Sequence, residues 1–276
     1  MNDLVNTDAP SKVEIRSMGK KIDIEYQWIS PERRDRALII FLHEGLGSIS
    51  MWRDWPAQVC AAMGCRGLVY SRYGYGNSSP RPTDETRGDD YLHVQAFDAL
   101  PALMDALGLE EERPILFGHS DGGSIALLHA AMFPDKALAI AVAAPHIFVE
   151  DITVEGIRKA RDVYRSTEFP ARLARHHIDG DSVFWAWNDT WLTPSFRQWN
   201  IEAFLDDIQC PVLAIQGIDD EYGSLEQIRG IAKRVPGTKL LEIPACGHSP
   251  HRDQPQAVIA GFREFLADIG VNADPV

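Results

Sequence analysis

Residues 118–122 read Gly-His-Ser-Asp-Gly. A serine between two glycines suits a sharp turn from a strand into a helix. The serine backbone takes a strained conformation there, and a side chain at either glycine would strike neighbouring backbone. The flanks fit that context: 114–117 is short and apolar, and 123–132 reads as a helix. Such a turn holds Ser120 Oγ clear of the sheet at a helix N-terminus. The dipole and unpaired N–H groups there favour developing negative charge, so the chemistry to expect is covalent attack on an acyl carbon.

A serine hydroxyl is a poor nucleophile at neutral pH and needs a base. Of nine histidines, His248 is best placed, in a loop after the last expected strand and before the last expected helix. His251 is its rival. The base needs a carboxylate to fix its tautomer and stabilise its charged form. The strand at 212–216 runs into Gly217-Ile218-Asp219-Asp220-Glu221. Three consecutive acids cannot all face one histidine, so Asp220 is favoured, with Asp219 second.

These residues need a scaffold. Segments 13–16 and 22–28 read as an edge hairpin, the second alternating apolar and polar residues. Segment 37–42, Ala-Leu-Ile-Ile-Phe-Leu, is continuously apolar, as for a strand buried on both faces. Strands at 67–71, 114–117, 138–143, 212–216 and 239–243 then alternate with helices at 51–63, 91–107 (where Pro101 is a candidate kink), 123–132, 225–235 and 255–269. That alternation predicts a mostly parallel central sheet flanked by helices. The stretch 146–204 breaks it. Only helical pieces at 154–165 and 170–177 stand out, yet four of the seven tryptophans lie here: Trp185, Trp187, Trp191 and Trp199. A helical cap inserted after the sixth strand accounts for it, set over the sheet edge where ligands of such sheets bind. The expected division is a core of 12–145 and 205–270 with a cap of 146–204.

The formal net charge of −13 with no basic stripe argues against nucleic-acid partners. No apolar run is long enough to span a bilayer, and the first residues lack a signal peptide's features. The expectations are therefore no membrane association and a cytoplasmic location. Cys60, Cys65, Cys210 and Cys246 have no C-x-x-C spacing and read as reduced thiols, with no metal site. Residues 1–10 and 272–276 look loose. A homo-oligomer is compatible with the sequence, which does not set the oligomeric state.

Four motifs, HEGLGS at 43–48, SRYGYGNS at 71–78, GHSDGG at 118–123 and CGHSPHRDQP at 246–255, make the chain resemble the α/β-hydrolase family over roughly residues 12–270. The order Ser120, Asp220, His248 is that of the family's triad. By resemblance, GIDD at 217–220 supports Asp220, and the run from Gly247 to Pro255 supports His248. The oxyanion hole implied is the N–H of Gly45, with Glu44 as the alternative, together with that of Asp121. Glu44 stands where glycine is common. A carboxylate there would repel an oxyanion, so it faces away into an ion pair or binds a substrate cation. Arg72 is expected to pair with Glu44 or Asp98. Asp121 could bind a substrate amine, or simply complement the helix dipole.

The resemblance implies a serine hydrolase cleaving a small-molecule carboxylic ester through an acyl-enzyme, with no cofactor. A C–C bond hydrolase or thioesterase, and a non-catalytic receptor, are the alternatives. Glu44, His146, Trp185, Trp187 and Trp191 are the candidate substrate-binding residues, although the aromatics could instead anchor the cap.

Overall fold

The strands are β1 (Ser11–Ser17), β2 (Lys20–Ile29), β3 (Leu38–Leu42), β4 (Arg66–Tyr70), β5 (Ile115–His119), β6 (Ala139–Ala143), β7 (Val212–Gly217) and β8 (Lys239–Ile243). They come from a computed structural model that describes residues 7–82 and 85–271. Together they form one sheet in the order β1-β2-β4-β3-β5-β6-β7-β8. The β1–β2 and β2–β4 pairs are antiparallel and every later pair is parallel. The hairpin at the edge and the parallel remainder are as the alternation predicts.

The central strands are buried along their whole length. Their side chains alternate between two separate apolar layers, because successive residues of a strand point to opposite faces. Ile40, Leu42, Leu68, Leu116 and Val142 fill one layer. Ile39, Phe41, Val69, Phe117 and Ala141 fill the other. Truncating a ring such as Phe117 to alanine should cost about 3–5 kcal/mol, since it leaves both a cavity and lost transfer energy.

The helices up to the sixth strand are α1 (Ile49–Trp52), α2 (Trp55–Met63), α3 (Tyr91–Val94), α4 (Leu100–Ala106) and α5 (Asp121–Met132). Between β6 and β7 lie α6 (Asp151–Ser166), α7 (Phe169–Leu173), α8 (Gly180–Leu192) and α9 (Glu202–Leu205); α10 (Glu226–Arg234), α11 (Pro250–Asp253) and α12 (Pro255–Asp268) complete the chain. Helix α5 packs on β3, β5 and β6, while α2 and α12 belong to the opposite layer.

The structure departs from the sequence expectations in five places. The helix expected at 51–63 is two helices, broken at Arg53, whose φ is +55°. Pro56 explains the break: within a continuous helix it could not donate to the Trp52 carbonyl and its ring would clash. At 91–107, Pro101 is accommodated by a wider π-helical turn over Gln95–Ala99. The helix expected at 170–177 stops at Leu173. Helix α8 was not expected at all, because its Phe, Trp, Asn, Asp and Thr residues are mediocre helix formers. At the N-terminus, Thr7 bridges Ile29 and the Asp8 N–H donates to the Trp28 carbonyl, so residues 7 and 8 extend the hairpin. The remaining loose ends expected, 1–6 and 272–276, lie outside the described residues.

Candidate active site

The turn between β5 and α5 has the geometry that its glycines require. Ser120 sits at φ 51° and ψ −118°, a conformation costing about 1–3 kcal/mol that only a well-packed surround can hold. A Cβ on Gly118 would lie 2.2 Å from the Gly122 carbonyl oxygen, and one on Gly122 would lie 1.9 Å from that of Leu42. Side chains at either position would push the turn off the sheet.

His248 Nε2 is 2.9 Å from Ser120 Oγ. Its Nδ1 is 2.9 and 3.0 Å from the two Asp220 carboxylate oxygens. Nδ1–H therefore donates to Asp220, which leaves Nε2 as the acceptor facing the serine. Asp220 is fixed in turn by the Tyr222 N–H at 2.8 Å and by Gln216 Nε2 at 3.1 Å. Burial works to raise its pKa, but the charge and hydrogen bond of His248 bring it below the ordinary value. Burial likewise opposes the charged form of His248, and Asp220 overcomes it and raises that pKa. Asp219 is exposed, and only its backbone N–H engages this loop, on the Cys246 carbonyl at 3.0 Å. His251 is buried against Trp52 and Trp55, 5.0 and 5.8 Å between ring centres, and reaches neither Ser120 nor an acid.

The loop after β3 carries Glu44 and Gly45 to the same place. The Gly45 N–H has no hydrogen-bond partner among the described residues. Asp121 opens α5, so its N–H is one of the helix's unpaired donors. His43 braces the loop: its Nδ1–H donates to the Glu44 carbonyl at 2.7 Å, and its Nε2 accepts the Arg72 N–H at 3.0 Å. Arg72, 1% exposed, also donates to the Glu44 carbonyl at 2.8 Å. Its ion pair is with Asp121 at 3.3 Å, where the sequence pointed to Glu44 or Asp98. Asp98 is taken instead by the Ser17 hydroxyl and the Met18 N–H. The Asp121 carboxylate also accepts from Tyr91 Oη at 3.0 Å, and it does not line the pocket in front of Ser120.

The profile of the Alpha/beta hydrolase family matches residues 39–261. The chain belongs to the alpha/beta hydrolase family. The chain is thus a hydrolase, and the relatives it resembles are enzymes of several kinds. It is 29% identical over 259 residues to the "Putative carbamate hydrolase RutD" of Caulobacter sp. (strain K31), covering 84% of this chain and 91% of that one. It is 30% identical over 198 residues to the human "Serine hydrolase BPHL", covering 67% of this chain and 63% of that one. Among solved structures, the enol-lactonase from Burkholderia xenovorans LB400 superposes with a TM-score of 0.71 at 18% identity, covering 92% and 99% of the two chains, which speaks to the fold alone.

In this α/β hydrolase a cavity of about 270 Å³ opens onto Ser120 and His248. Glu44, Gly45, His146, Trp187 and Trp191 line it, so five residues read from the sequence meet there. Trp185 does not. It lies on the other side of α8, edge-on to Tyr164 at 5.7 Å and beneath Arg165 at 5.1 Å. The reason is helical spacing. Phe184, Trp187, Asn188 and Trp191 recur at the interval that lines one helix face, and Trp185 falls off it. His146 donates its Nε2–H to the Tyr222 carbonyl at 3.1 Å, and its ring stands 5.0 Å from Trp191 and 5.8 Å from His248.

The sequence reading missed Ile157, Phe169, Tyr222 and Arg252, which also line the cavity. Tyr222 had a signal, two residues after Asp220. Ile157 had none beyond its place in a helical piece of unknown orientation, and Phe169 fell outside the pieces read as helical. No helix among the described residues is long and apolar enough to cross a membrane.

Proposed function

We propose that the chain is a serine hydrolase that cleaves a small carboxylic ester through an acyl-enzyme. The observation that carries this reading is the continuous alignment of Ser120 Oγ, His248 and Asp220 at 2.9–3.0 Å per step. His248 Nε2 takes the Ser120 proton as Oγ attacks the acyl carbon. The Gly45 and Asp121 N–H groups receive the oxyanion, a service worth several kcal/mol per donor in such sites. The charged His248, held by Asp220, then gives its proton to the leaving alcohol. Water enters, is deprotonated by the same nitrogen, and releases the acid.

The segment 146–204 acts as the cap over this centre, with α6 and α8 as its walls. Leu46, Met51, Ile157, Trp187 and Trp191 give the cavity apolar and aromatic surfaces, which favour a small apolar or aromatic acyl group. Asp121 is sealed behind the cavity with Arg72 and Tyr91, which weighs against its use as an amine site.

The test is labelling by a fluorophosphonate probe, followed by turnover of a panel of aryl and alkyl esters, thioesters and carbamates. Labelling at Ser120 together with ester turnover is expected. Faster turnover of carbamates than of matched esters would move the assignment toward the activity named for the Caulobacter relative. Unchanged turnover in Ser120→Ala would overturn the mechanism.

A further inference from the structure

The cavity in front of Ser120 has two unlike sides. Ile157, Phe169, Trp187 and Trp191, all from the segment between β6 and β7, make one side apolar. Glu44 and Arg252, from the segments after β3 and β8, bring charge to the other. Glu44 is the odd member. Its oxygens stand 3.7 Å from His119 Nδ1 and 3.7 Å from Arg252 Nη2, too far for a hydrogen bond, and no closer donor lies among the described residues. Arg252 instead donates from Nη2 to the Met51 carbonyl at 3.0 Å. The Glu44 side chain keeps 17% of its surface open. Burial works to raise its pKa, yet His119, Arg252 and His43 hold it well below the ordinary carboxylate range, so it is ionised at neutral pH. The loop is also built around this carboxylate. Gly47 leaves it room, since a Cβ there would lie 2.4 Å from Oε2. The Glu44 backbone is pinned through its carbonyl, which accepts from His43 Nδ1 and Arg72 Nη2. An ionised acceptor, held in place on a cavity wall with no donor from the protein, is half of a contact whose other half a substrate brings.

We infer that Glu44 accepts a hydrogen bond from a neutral N–H group, such as that of a carboxamide, on the leaving alcohol of the substrate. The two sides of the cavity set which half of the ester carries the donor. An apolar acyl group belongs against Ile157 and the indoles, which leaves the alcohol to the charged side. The pairing of Glu44 with Arg252 sets the kind of donor. The guanidinium offsets the carboxylate's pull on a cation, whereas a neutral N–H keeps its directional bond to an ionised oxygen. The substrate class is therefore an ester of a small apolar or aromatic acid with an amide-bearing alcohol.

This inference rests on the acyl-enzyme reading, and the test keeps the two apart. The substrates are the benzoate esters of glycolamide, N,N-dimethylglycolamide and choline. The first two alcohols share a carbonyl and differ in their N–H groups, and the third is a cation with no N–H. Wild-type kcat/KM for the glycolamide ester should exceed that for its dimethyl analogue by roughly 10- to 100-fold, the span of one hydrogen bond to a charged acceptor. In Glu44→Leu that ratio should fall below about three-fold, whereas a preference set by the bulk of the methyl groups alone would survive. Glu44→Gln, nearly the same shape with a weaker acceptor, should fall between and decides the matter if the leucine variant does not fold. A purely structural Glu44 would lower the melting temperature of the variants and leave the ratio at its wild-type value. Fluorophosphonate labelling of Ser120 shows in each protein that the site is assembled. With labelling intact, equal turnover of the two amide esters, turnover of neither, a preference for the choline ester, or an unchanged ratio in the Glu44 variants overturns the proposal. A wild-type protein that does not label, or an active Ser120→Ala, would instead sink the triad reading.

Discussion

The turn around Ser120 and helix α8 face each other across one cavity, but they are held in different ways. Backbone crowding fixes the turn: carbonyl oxygens stand where side chains on Gly118 and Gly122 would go. Aromatic packing fixes the helix. Phe184 stacks on Tyr164, Trp191 meets Phe196 edge-on at 4.9 Å, and Trp191 Nε1 donates to Tyr91 Oη at 2.9 Å. Backbone crowding tolerates almost no substitution, whereas side-chain packing tolerates repacking at modest cost. In the proposed mechanism, chemistry falls to the turn and substrate shape to the helix.

Substitutions can break or sharpen that division. The largest effect belongs to Ser120→Ala, where kcat should fall by about 10⁵- to 10⁶-fold with the melting temperature preserved, measured by single-turnover kinetics beside a thermal melt. Asp220→Asn should lower kcat by roughly 10⁴-fold, because the amide no longer fixes the His248 tautomer.

Gly45→Ala probes the join between the two regions. Its Cβ would lie 2.4 Å from Trp187 Cδ1 and Nε1, so either the loop after β3 or α8 must shift. A loss of about 10²-fold in kcat/KM is expected. If α8 is the yielding side, Gly45→Ala combined with Trp187→Ala should recover part of it; no recovery would mean that the loop itself is distorted.

The pH profile gives a smaller effect. In the proposed mechanism His248 must be neutral to take the serine proton. Its pKa is raised above 6.5 by Asp220, so kcat/KM should climb with pH through a midpoint above 6.5. The midpoint should move down in Asp220→Asn. The smallest effect belongs to Trp185→Ala, which faces away from the cavity. It should cost about 1–3 kcal/mol of stability and change kcat/KM by less than two- to three-fold. A large change in substrate preference there would break the division between the two faces of α8.

The sequence disclosed the turn and the sheet for the same reason that they resist change. Glycines at 118 and 122 and short β-branched runs such as 38–42 have few structural readings. That Asp220 and His248 would meet Ser120 was legible because each follows a strand whose end is fixed by register. The inserted segment was less so. Its aromatic residues report burial without saying which helix face they occupy, and α8 is built from residues with weak helical preference. The 184, 187, 188, 191 spacing was present in the chain, and reading it would have separated Trp185 from Trp187 and Trp191. The true partner of Arg72 was not legible: the sequence pointed to Glu44 or Asp98, and only the folded sheet, in which β3 lies between β4 and β5, brings Asp121 to it.

The two tryptophans that wall the cavity give the molecule an optical consequence. Trp187 and Trp191 border the space in front of Ser120, whereas Trp28, Trp52, Trp55, Trp185 and Trp199 do not line it. In the proposed mechanism an acyl group on Ser120 would lie against these two of the seven indoles. Intrinsic emission should therefore shift during the acyl-enzyme's lifetime and return on deacylation, so that stopped-flow fluorescence could time each half of the cycle with no label attached.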